Sequence, residues 1–353
     1  MEEIKRTLSL TDYPAITKRV FTEDTLLFDI ETTGFSPKTS DLYLIGVACR
    51  SGEDALIEQF LSDDASEQAL LLERFEEILK SHTTIFTYNG VGFDLPYLRE
   101  KYGYDPFSDH TIRDLYKDLT RLRSFLGLPN LKQKTVEDFL GLSREDTYSG
   151  GDLIPVYRHY AATHDDLPKK LLLLHNYEDV LGMIDSVPML SYPEFFDGKY
   201  HIEGAAFSDE NTALCIKLIP AYPFPVRIET TRDPFSLIAD GNLATLFVQL
   251  YEGELKYFFP DPENYYYLPE EDTALHKSVG GFVDKKHRKQ ATKSTAYTKK
   301  EGVFLPQPKE ICTPSFTTSY HDSLSYFLFS EDFTQDSEVF RNYVDACLRY
   351  LIK

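Results

Sequence analysis

Two carboxylates stand two residues apart at the end of an apolar run, Asp29 and Glu31 within residues 28–34. In an extended strand the side chains at positions i and i+2 lie on the same face, so these two like charges would be neighbours. Such a pair is costly unless a cation compensates it, and hard divalent cations prefer oxygen ligands. The segment therefore predicts a divalent-metal site, although a strand that runs into a solvated acidic turn would show the same pattern.

Two later segments supply further candidate groups. Asp94 follows a predicted strand and the turn dipeptide Asn89-Gly90, where its carboxylate could also act as a helix N-cap. His175 and Asp179 are four residues apart on a predicted helix and therefore share one face, as an ordinary surface pair also would.

Taken in order, the three segments resemble the exonuclease motifs of the DEDD, or DnaQ-like, 3′ to 5′ exonucleases. They read Asp-Ile-Glu-Thr-Thr-Gly at 29–34, Asn-Gly-x-x-Phe-Asp at 89–94 and His-Asn-x-x-Asp at 175–179. The match is closest to the bacterial YprB-like branch of predicted exonucleases, to which residues 128–137 and 142–146 are also similar. The resemblance covers residues 22–190 and implies an α/β, ribonuclease-H-like fold with a mixed sheet flanked by helices.

The resemblance also implies a site for two Mg²⁺ or Mn²⁺ ions, which in a two-metal mechanism activate a water and stabilise the leaving 3′ oxygen. It assigns four metal ligands, Asp29, Glu31, Asp94 and Asp179. It assigns His175 as the general base, because an imidazole can take a proton from the attacking water near neutral pH. The expected activity is hydrolysis of phosphodiester bonds of DNA or RNA.

The candidate base departs from the family's patterns. The histidine subclass usually has its base five residues before the last Asp, and the tyrosine subclass has a Tyr four residues before it. Here His175 occupies the position four residues before Asp179. Tyr177 fits neither spacing and would point about 200° away from Asp179 on a helix. We expect His175 to be the base, with Tyr177 or no side-chain base as the alternatives.

The same resemblance implies a pocket for the terminal nucleotide of a strand with a single-stranded 3′ end. Its expected lining is small or polar: Thr32, Thr33, Gly34, Asn89 and Gly90. Asn89-Gly90 could instead be only a turn. Lys132 and Lys134 precede a predicted helix and could contact phosphate or be solvated.

A basic segment, residues 285–300, contains seven Lys or Arg and no acid in a chain of formal net charge −20. The net charge excludes a globally cationic nucleic-acid scaffold, so local counterion release at phosphates is the use that the segment suggests. The residues predicted to contact nucleic acid are Lys285, Lys286, Arg288, Lys289 and Lys293. A solvated loop is the alternative.

The elements that must position these groups follow from hydrophobic periodicity. From residue 25 to residue 190 strands and helices alternate, as in an α/β layer fold, and we assign residues 1–190 to a first domain. We expect strands over residues 25–30, 42–49, 55–60 and 84–88, and helices up to residue 80 and over 95–101, 112–125, 136–140 and 168–190.

Residues 191–353 are assigned to a second, aromatic-rich α+β domain that could hold the substrate. More than half of the chain's 24 Tyr and 25 Phe lie in it. We expect antiparallel strands over 201–207, 214–219 and 226–230, a hairpin of 246–251 with 254–259, and a final amphipathic helix over 337–352.

Length and composition bound the remaining alternatives. A chain of 353 residues can form two domains with real cores. No apolar run approaches the ~20 residues that span a bilayer, so we expect a soluble, cytoplasmic protein with no membrane partner. The four dispersed cysteines favour reduced packing residues over a disulfide framework or thiolate zinc site. The rival functions are an endonuclease or nucleotide-processing enzyme, a catalytically inactive ribonuclease-H-like nucleic-acid-binding module, and a protein-interaction module; protein partners stay open.

Overall fold

A computed structural model of the chain describes residues 1–335 and 337–353, with the side chain of Glu331 also outside the description. The chain forms two compact units. The first consists of Met1–Glu194 with Tyr222–Val226, and the second of Phe195–Ala221 with Arg227–Lys353. Tyr222–Val226, the return segment, packs with the first unit. It is held there by Tyr192, whose hydroxyl donates to the Val226 carbonyl at 2.5 Å.

The first unit contains six strands and seven complete helices among its described residues. The strands are β1 (Glu2–Ser9), β2 (Thr25–Thr32), β3 (Leu42–Ser51), β4 (Asp54–Leu61), β5 (Thr84–Thr87) and β6 (Thr111–Asp114). The helices are α1 (Ala15–Val20), α2 (Gln68–Leu79), α3 (Asp94–Tyr102), α4 (Leu115–Thr120), α5 (Gln133–Leu140), α6 (Gly150–Thr163) and α7 (Asp166–Ser186). A further short helix, α8 (Ser191–Phe196), follows at the boundary of the two units.

The six strands form one mixed sheet in the order β1-β4-β3-β2-β5-β6. β2 lies inside it, antiparallel to β3 and parallel to β5, and β6 continues the parallel part. A strand with neighbours on both edges and helices over both faces is shielded from solvent on every side. This explains why β2 is buried along its length apart from the partly exposed Asp29.

Two hydrophobic clusters cover the opposite faces of the sheet. On one face Phe28 of β2 packs with Phe75 of α2 and Leu98 of α3. On the other face Leu44 of β3 packs with residues of α6 and α7, among them Leu172. The unit is therefore a three-layer α/β arrangement, which confirms the fold class expected for the first part of the chain.

The second unit is an α+β assembly rich in aromatic contacts. Its strands, with β9 beginning in the return segment, are β7 (Tyr200–Phe207), β8 (Ala213–Pro220), β9 (Phe224–Arg232), β10 (Phe235–Gly241), β11 (Leu243–Gln249), β12 (Tyr251–Phe258), β13 (Tyr265–Leu268), β14 (Thr273–His276), β15 (Lys289–Gln290), β16 (Tyr297–Gln307) and β17 (Ser325–Leu328). Its helices are α9 (Lys277–Gly280) and α10 (Ser337–Leu351). The sheet orders are β7-β8-β11-β10-β9, β12-β16-β17 and β14-β13-β15.

Two expected elements are wrong. The single helix predicted over residues 112–125 is instead β6 followed by α4, because residues 111–114 pair in parallel with β5 and Asp114 then caps the new helix at the Lys117 N–H. The predicted hairpin of 246–251 with 254–259 does not form, since β11 pairs with β8 and β10 while β12 pairs with β16. Gly253, expected in the turn, lies inside β12 at φ 147° opposite Gly302.

Two further expectations can be compared with the described residues. All four cysteines are within the described part of the chain, and none of them forms a disulfide. No helix among the described residues has the length and apolar character needed to cross a membrane.

Candidate metal and active site

Strand β2 presents its two carboxylates on the side of the sheet that α7 covers. Leu26, Phe28 and Ile30 belong to the opposite cluster, so the alternation of side chains turns Asp29 and Glu31 toward α7. Two contacts place α7 above them: the Asn176 amide donates to Asp29 Oδ2 at 3.0 Å, and His175 Nε2 lies 3.4 Å from Glu31 Oε1.

Asp94 reaches the same strand from the start of α3. The ladder between β2 and β5 ends at the pair of Leu27 with Phe86, which leaves the later N–H groups of β2 without a strand partner on that edge. The Ile30 N–H donates instead to Asp94 Oδ1 at 3.2 Å. Asp94 is buried and occupies the first turn of α3, where a negative charge is favoured by the helix dipole.

Helix α7 supplies the other two predicted groups. His175 Nε2 lies 3.2 Å from Asp179 Oδ2, as expected for residues four apart on one helix face. Glu31, His175 and Asp179 each offer one ligand atom, and these three atoms all lie within 4.8 Å of one another. Tyr177 points elsewhere, because its ring lies under the Arg6 guanidinium at 4.1 Å.

The carboxylates are held at an electrostatic cost. Burial, and then the negative charge of Asp179, raises the pKa of both Asp29 and Glu31 well above the ordinary range. Burial is also the main cause that raises the pKa of Asp94 to about 7. Carboxyl groups that repel one another in a desolvated site favour a bound cation, whose charge removes the penalty.

The donor set fits a divalent metal ion. Glu31 is only 7% exposed, and among the described residues the nitrogen found beside its carboxylate is His175 Nε2 at 3.4 Å. A buried carboxylate with so few donors is rare unless a cation occupies its other side. Asp29, Glu31, Asp94 and Asp179 are the groups that could hold such ions.

His175 has a second partner that the sequence analysis did not identify. Its Nδ1 lies 2.7 Å from Asp146 Oδ2, and both side chains are buried. Lys134 Nζ binds the same Asp146 oxygen at 3.0 Å. Although burial alone would raise the pKa of Asp146, hydrogen bonds from Lys134, the Tyr148 N–H and His175 hold it below its ordinary value.

A row of residues across three strands fixes Asp29. Gln59 on β4, Gly46 on β3 and Asp29 on β2 are register neighbours, and Asn176 lies over this row. Gln59 donates to Asn176 Oδ1 at 2.9 Å, and Asn176 in turn donates to Asp29. A Cβ atom at Gly46 would be 2.2 Å from Asn176 Oδ1, so only glycine leaves room for this amide.

Asp179 is held by an arginine whose side chain is only 10% exposed. Arg144 Nη1 donates to Asp179 Oδ1 at 2.5 Å, while the rest of its guanidinium forms a bidentate pair with Glu137. Although burial alone would lower the pKa of Arg144, the hydrogen bonds and charges of Glu137 and Asp179 raise it above its ordinary value. Gly182 makes the approach possible, because a Cβ atom there would be 1.9 Å from Glu137 Oε1.

The three motifs did not predict these supporting residues. Some of the residues lie outside the motifs, and others lie at motif positions to which no role was assigned. Asp146 and Arg144 fall in the segment 142–146 that resembles the YprB-like branch, yet nothing in the segment indicates which side chain turns inward. Asn176 adjoins His175 in the third motif. Two features could have identified Asn176 and Arg144. One is a buried amide next to His175, and the other is an arginine beside the acidic face of the helix that carries Asp179.

The residues after β2 form a tight turn. Thr32 Oγ1 donates to the Gly34 carbonyl at 2.9 Å, and Thr33 Oγ1 accepts from the Asp41 N–H at 2.8 Å. Thr32 is buried with Glu31 beside it. The hydroxyls therefore shape the end of the strand, and their contact with a nucleotide stays a prediction.

Asn89 and Gly90 form a turn fixed by Asp114. Asn89 has φ 61°, and its N–H donates to Asp114 Oδ1 at 3.1 Å, while the Val91 N–H donates to Oδ2 at 3.0 Å. A Cβ atom at Gly90 would be 2.7 Å from Thr87 Cβ. These contacts account for the dipeptide structurally, and its predicted role in the nucleotide pocket stays open.

The lysines expected at phosphates differ in their surroundings. Lys132 is exposed at the start of α5, whereas Lys134 is engaged by Asp146 and by the Tyr148 carbonyl at 2.6 Å. Lys134 therefore supports the His175 partner directly, and contact with phosphate stays a prediction for both residues.

The basic segment lies in the second unit and divides into two groups. Arg288 donates to the Gly280 carbonyl, and its guanidinium covers the Tyr266 ring at 4.5 Å, so it holds the loop in place. The other four predicted contacts are exposed, and in the described part of the chain none of their ammonium groups forms an ion pair: Lys285, Lys286, Lys289 and Lys293.

One comparison, with a protein-family model, supports the fold of the first unit. The RNase_H_2 family model, described as RNase_H superfamily, matches residues 26–185. A comparison with curated protein sequences finds no match. One similar solved structure is the family B DNA polymerase from the hyperthermophilic archaeon Pyrobaculum calidifontis, at 15% identity over 72% of this chain and 39% of that chain, with a TM-score of 0.37.

Another similar structure is the metal-free complex of E. coli ExoI with ssDNA, at 14% identity over 56% of this chain and 54% of that chain, with a TM-score of 0.32. This chain thus spans about two fifths of the polymerase and about half of the exonuclease. The match over residues 26–185, with the mixed sheet and its two helical layers, identifies the first unit as a ribonuclease-H-like fold.

Proposed function

We propose that the chain is a metal-dependent nuclease that removes nucleotides from the 3′ end of a DNA or RNA strand. The observation that carries the proposal is the meeting of Glu31, His175 and Asp179 within 4.8 Å on a ribonuclease-H-like sheet. Asp29 and Asp94 are close enough for the charges of the cluster to raise their pKa values. Three separate elements thus bring the predicted groups together.

The proposed cofactors are two Mg²⁺ or Mn²⁺ ions held by Asp29, Glu31, Asp94 and Asp179. The chemistry that such ions would supply is Lewis-acid activation of the attacking water and stabilisation of charge on the leaving 3′ oxygen. The chain's own residues orient these ligands: Asn176 fixes Asp29, and Arg144 fixes Asp179. His175 Nε2 faces the same carboxylates, and Asp146 fixes the orientation of its ring.

The substrate would be held partly by the second unit. Four exposed lysines without acidic partners suit the phosphates of a single strand, and their contribution would fall with added salt. The turn residues 32–34 and 89–90 would line the pocket for the terminal nucleotide. The domain limits at residues 190 and 191 and the cytoplasmic location stay predictions.

The test is to incubate 5′-labelled single strands of DNA and of RNA with the full chain and Mn²⁺, and to resolve the products by length. We expect strands shortened stepwise from the 3′ end. Asp29→Asn should slow the reaction at least about 10³-fold, because a metal ion contributes several kcal/mol to the transition state. The matched control is Asp138→Asn, an exposed acid on α5, which should cleave like the unchanged protein.

Each rival outcome contradicts a distinct part of the proposal. Internal cuts would indicate an endonuclease. Binding without cleavage would indicate a nucleic-acid-binding module. Cleavage that persists in Asp29→Asn would place the activity outside these carboxylates.

A further inference from the structure

The imidazole of His175 is fixed at both of its nitrogens. Nδ1 is 2.7 Å from Asp146 Oδ2, and Nε2 lies between Glu31 Oε1 at 3.4 Å and Asp179 Oδ2 at 3.2 Å. The ring is only 4% exposed. Nε2 therefore faces the middle of the carboxylate cluster rather than an open approach for water.

We infer that His175 Nε2 is itself a ligand of one cation, together with Glu31 and Asp179, and that it is not the general base. The inference rests on the proposed function, because it concerns the same metal site. It adds a nitrogen donor to a ligand set that the motifs describe as carboxylates alone.

The first argument is the spacing of the three donor atoms. Ligands bound to one ion at about 2.0–2.2 Å are separated from one another by about 3–3.5 Å in tetrahedral or octahedral arrangements. The separations of His175 Nε2 from the two carboxylate oxygens, 3.2 and 3.4 Å, fall in this range. Two of the three separations among these donor atoms thus match a shared ion, and the third, between the Glu31 and Asp179 oxygens, is within 4.8 Å.

The second argument is the partner of Nδ1. A histidine that binds a metal through one nitrogen usually donates its other N–H to a carboxylate or carbonyl, which fixes the tautomer and the direction of the free lone pair. Asp146 fills this role, and Lys134 and the Tyr148 N–H hydrogen-bond to its carboxylate and hold it in place. When Nδ1 carries the only proton of the ring, the Nε2 lone pair faces two carboxylate oxygens, and a cation among these three donor atoms would accept all three.

The third argument is the position of the two donors on α7. His175 and Asp179 are one helical turn apart, so a rigid helix presents a nitrogen and an oxygen to the same point. A histidine five residues before Asp179 would lie about 100° round the helix from His175. The departure from the usual histidine spacing is therefore what brings the imidazole into the ligand set.

A nitrogen donor changes the expected choice of metal. Imidazole suits first-row transition metals such as Zn²⁺ and Fe²⁺ best; Mn²⁺, which starts that series, accepts a nitrogen ligand more readily than Mg²⁺, which prefers an all-oxygen set. We expect Mn²⁺ to bind more tightly than Mg²⁺, and His175→Asn to reduce the difference between the two affinities. Asp146→Asn should weaken Mn²⁺ binding about 10–100-fold, the range typical for carboxylates that orient a metal-bound histidine.

The direct test is pulsed electron paramagnetic resonance of the full chain loaded with Mn²⁺. A ligated imidazole gives a nitrogen hyperfine coupling, and labelling the histidines with nitrogen-15 should change it. This readout uses the unchanged protein, so it does not depend on whether a variant folds. His175→Asn should abolish the coupling, while the control His159→Asn, an exposed histidine on α6, should retain it.

The outcomes separate this inference from the proposed function. Mn²⁺ bound without a nitrogen coupling, in a protein that still cleaves, overturns the ligand assignment alone. If neither the unchanged protein nor any variant binds Mn²⁺, both the ligand assignment and the proposal of a metal-dependent nuclease are overturned.

Discussion

The acidic cluster of the first unit and the basic segment of the second hold their charges in opposite ways. Glu31 and Asp94 are buried, and their pKa values are raised by desolvation and by neighbouring acids. Lys285 and Lys286 are exposed to solvent, and their ammonium groups form no ion pair among the described residues. A buried like-charged cluster persists only where something else compensates it, whereas exposed lysines are solvated at little cost.

The difference distinguishes a site whose side chains are fixed in position, the acidic cluster, from a surface that can bind a nucleic-acid strand of any sequence, the basic segment. The acidic cluster is surrounded by groups that leave its side chains few alternative positions, such as Asn176 at Asp29 and Arg144 at Asp179. The exposed lysines have no such support and can follow a strand of any sequence. Substitutions near the cluster should therefore change stability and metal binding, and substitutions of the lysines should change only nucleic-acid affinity.

The largest effect is expected for Arg144→Met. It leaves Glu137 buried without its ion-pair partner, and loss of one member of a buried pair costs about 3–5 kcal/mol of the free energy of unfolding. Denaturant unfolding measures this loss. The double variant with Glu137→Gln should recover part of it, and a single Arg144→Met variant as stable as the unchanged protein would contradict the description of this network.

A smaller effect is expected for Gly46→Ala. The added Cβ atom would collide with the Asn176 amide, so we expect a loss of about 1–3 kcal/mol in unfolding free energy and weaker Mn²⁺ binding. The control is Gly204→Ala on β7, where a Cβ atom meets nothing within 4 Å. Equal stability and Mn²⁺ affinity in both variants would show that the row across β2, β3 and β4 does not position Asp29.

The smallest effect on stability is expected for replacing all four exposed lysines of the basic segment with Gln. Unfolding free energy should stay within about 0.5 kcal/mol, because surface substitutions away from special features rarely exceed this. Affinity for single strands should fall, and the slope of log affinity against log salt should decrease by about 1 for each phosphate that a lysine no longer neutralises. Lys309→Gln, an exposed lysine elsewhere in the unit, is the control. An unchanged slope would remove the basic segment from the substrate path.

The positions of many site residues could be predicted from the local periodicity of strands and helices. The strand expected over residues 25–30 is confirmed as β2, and the helix expected from residue 95 is confirmed as α3, which starts at Asp94. Alternation in a strand is sufficient to place Asp29 and Glu31 on one face, and helix period is sufficient to pair His175 with Asp179.

The remaining features of the site depend on contacts between residues that are distant in sequence. The Asp146 partner of His175 is 29 residues away, and Gln59 is 117 residues from Asn176. No periodicity identifies such pairs. Local patterns also misassigned residues 112–114, where pairing with β5 overrides a short apolar spacing that suits a helix. Tertiary contacts therefore decided the details that local sequence left open.

The most direct test of the central claim compares the thermal unfolding of the unchanged protein and of Asp29→Asn, each with and without Mn²⁺. Without metal we expect the variant to have the higher Tm, by an amount equivalent to about 0.5–2 kcal/mol, because it removes one repelling charge while its amide oxygen can still accept from Asn176. At 100 times the dissociation constant, Mn²⁺ should stabilise the unchanged protein by about 2.7 kcal/mol and leave the variant nearly unaffected. A variant that is less stable without metal, or that gains as much from Mn²⁺ as the unchanged protein, would contradict the claim that this carboxylate cluster exists to bind a cation.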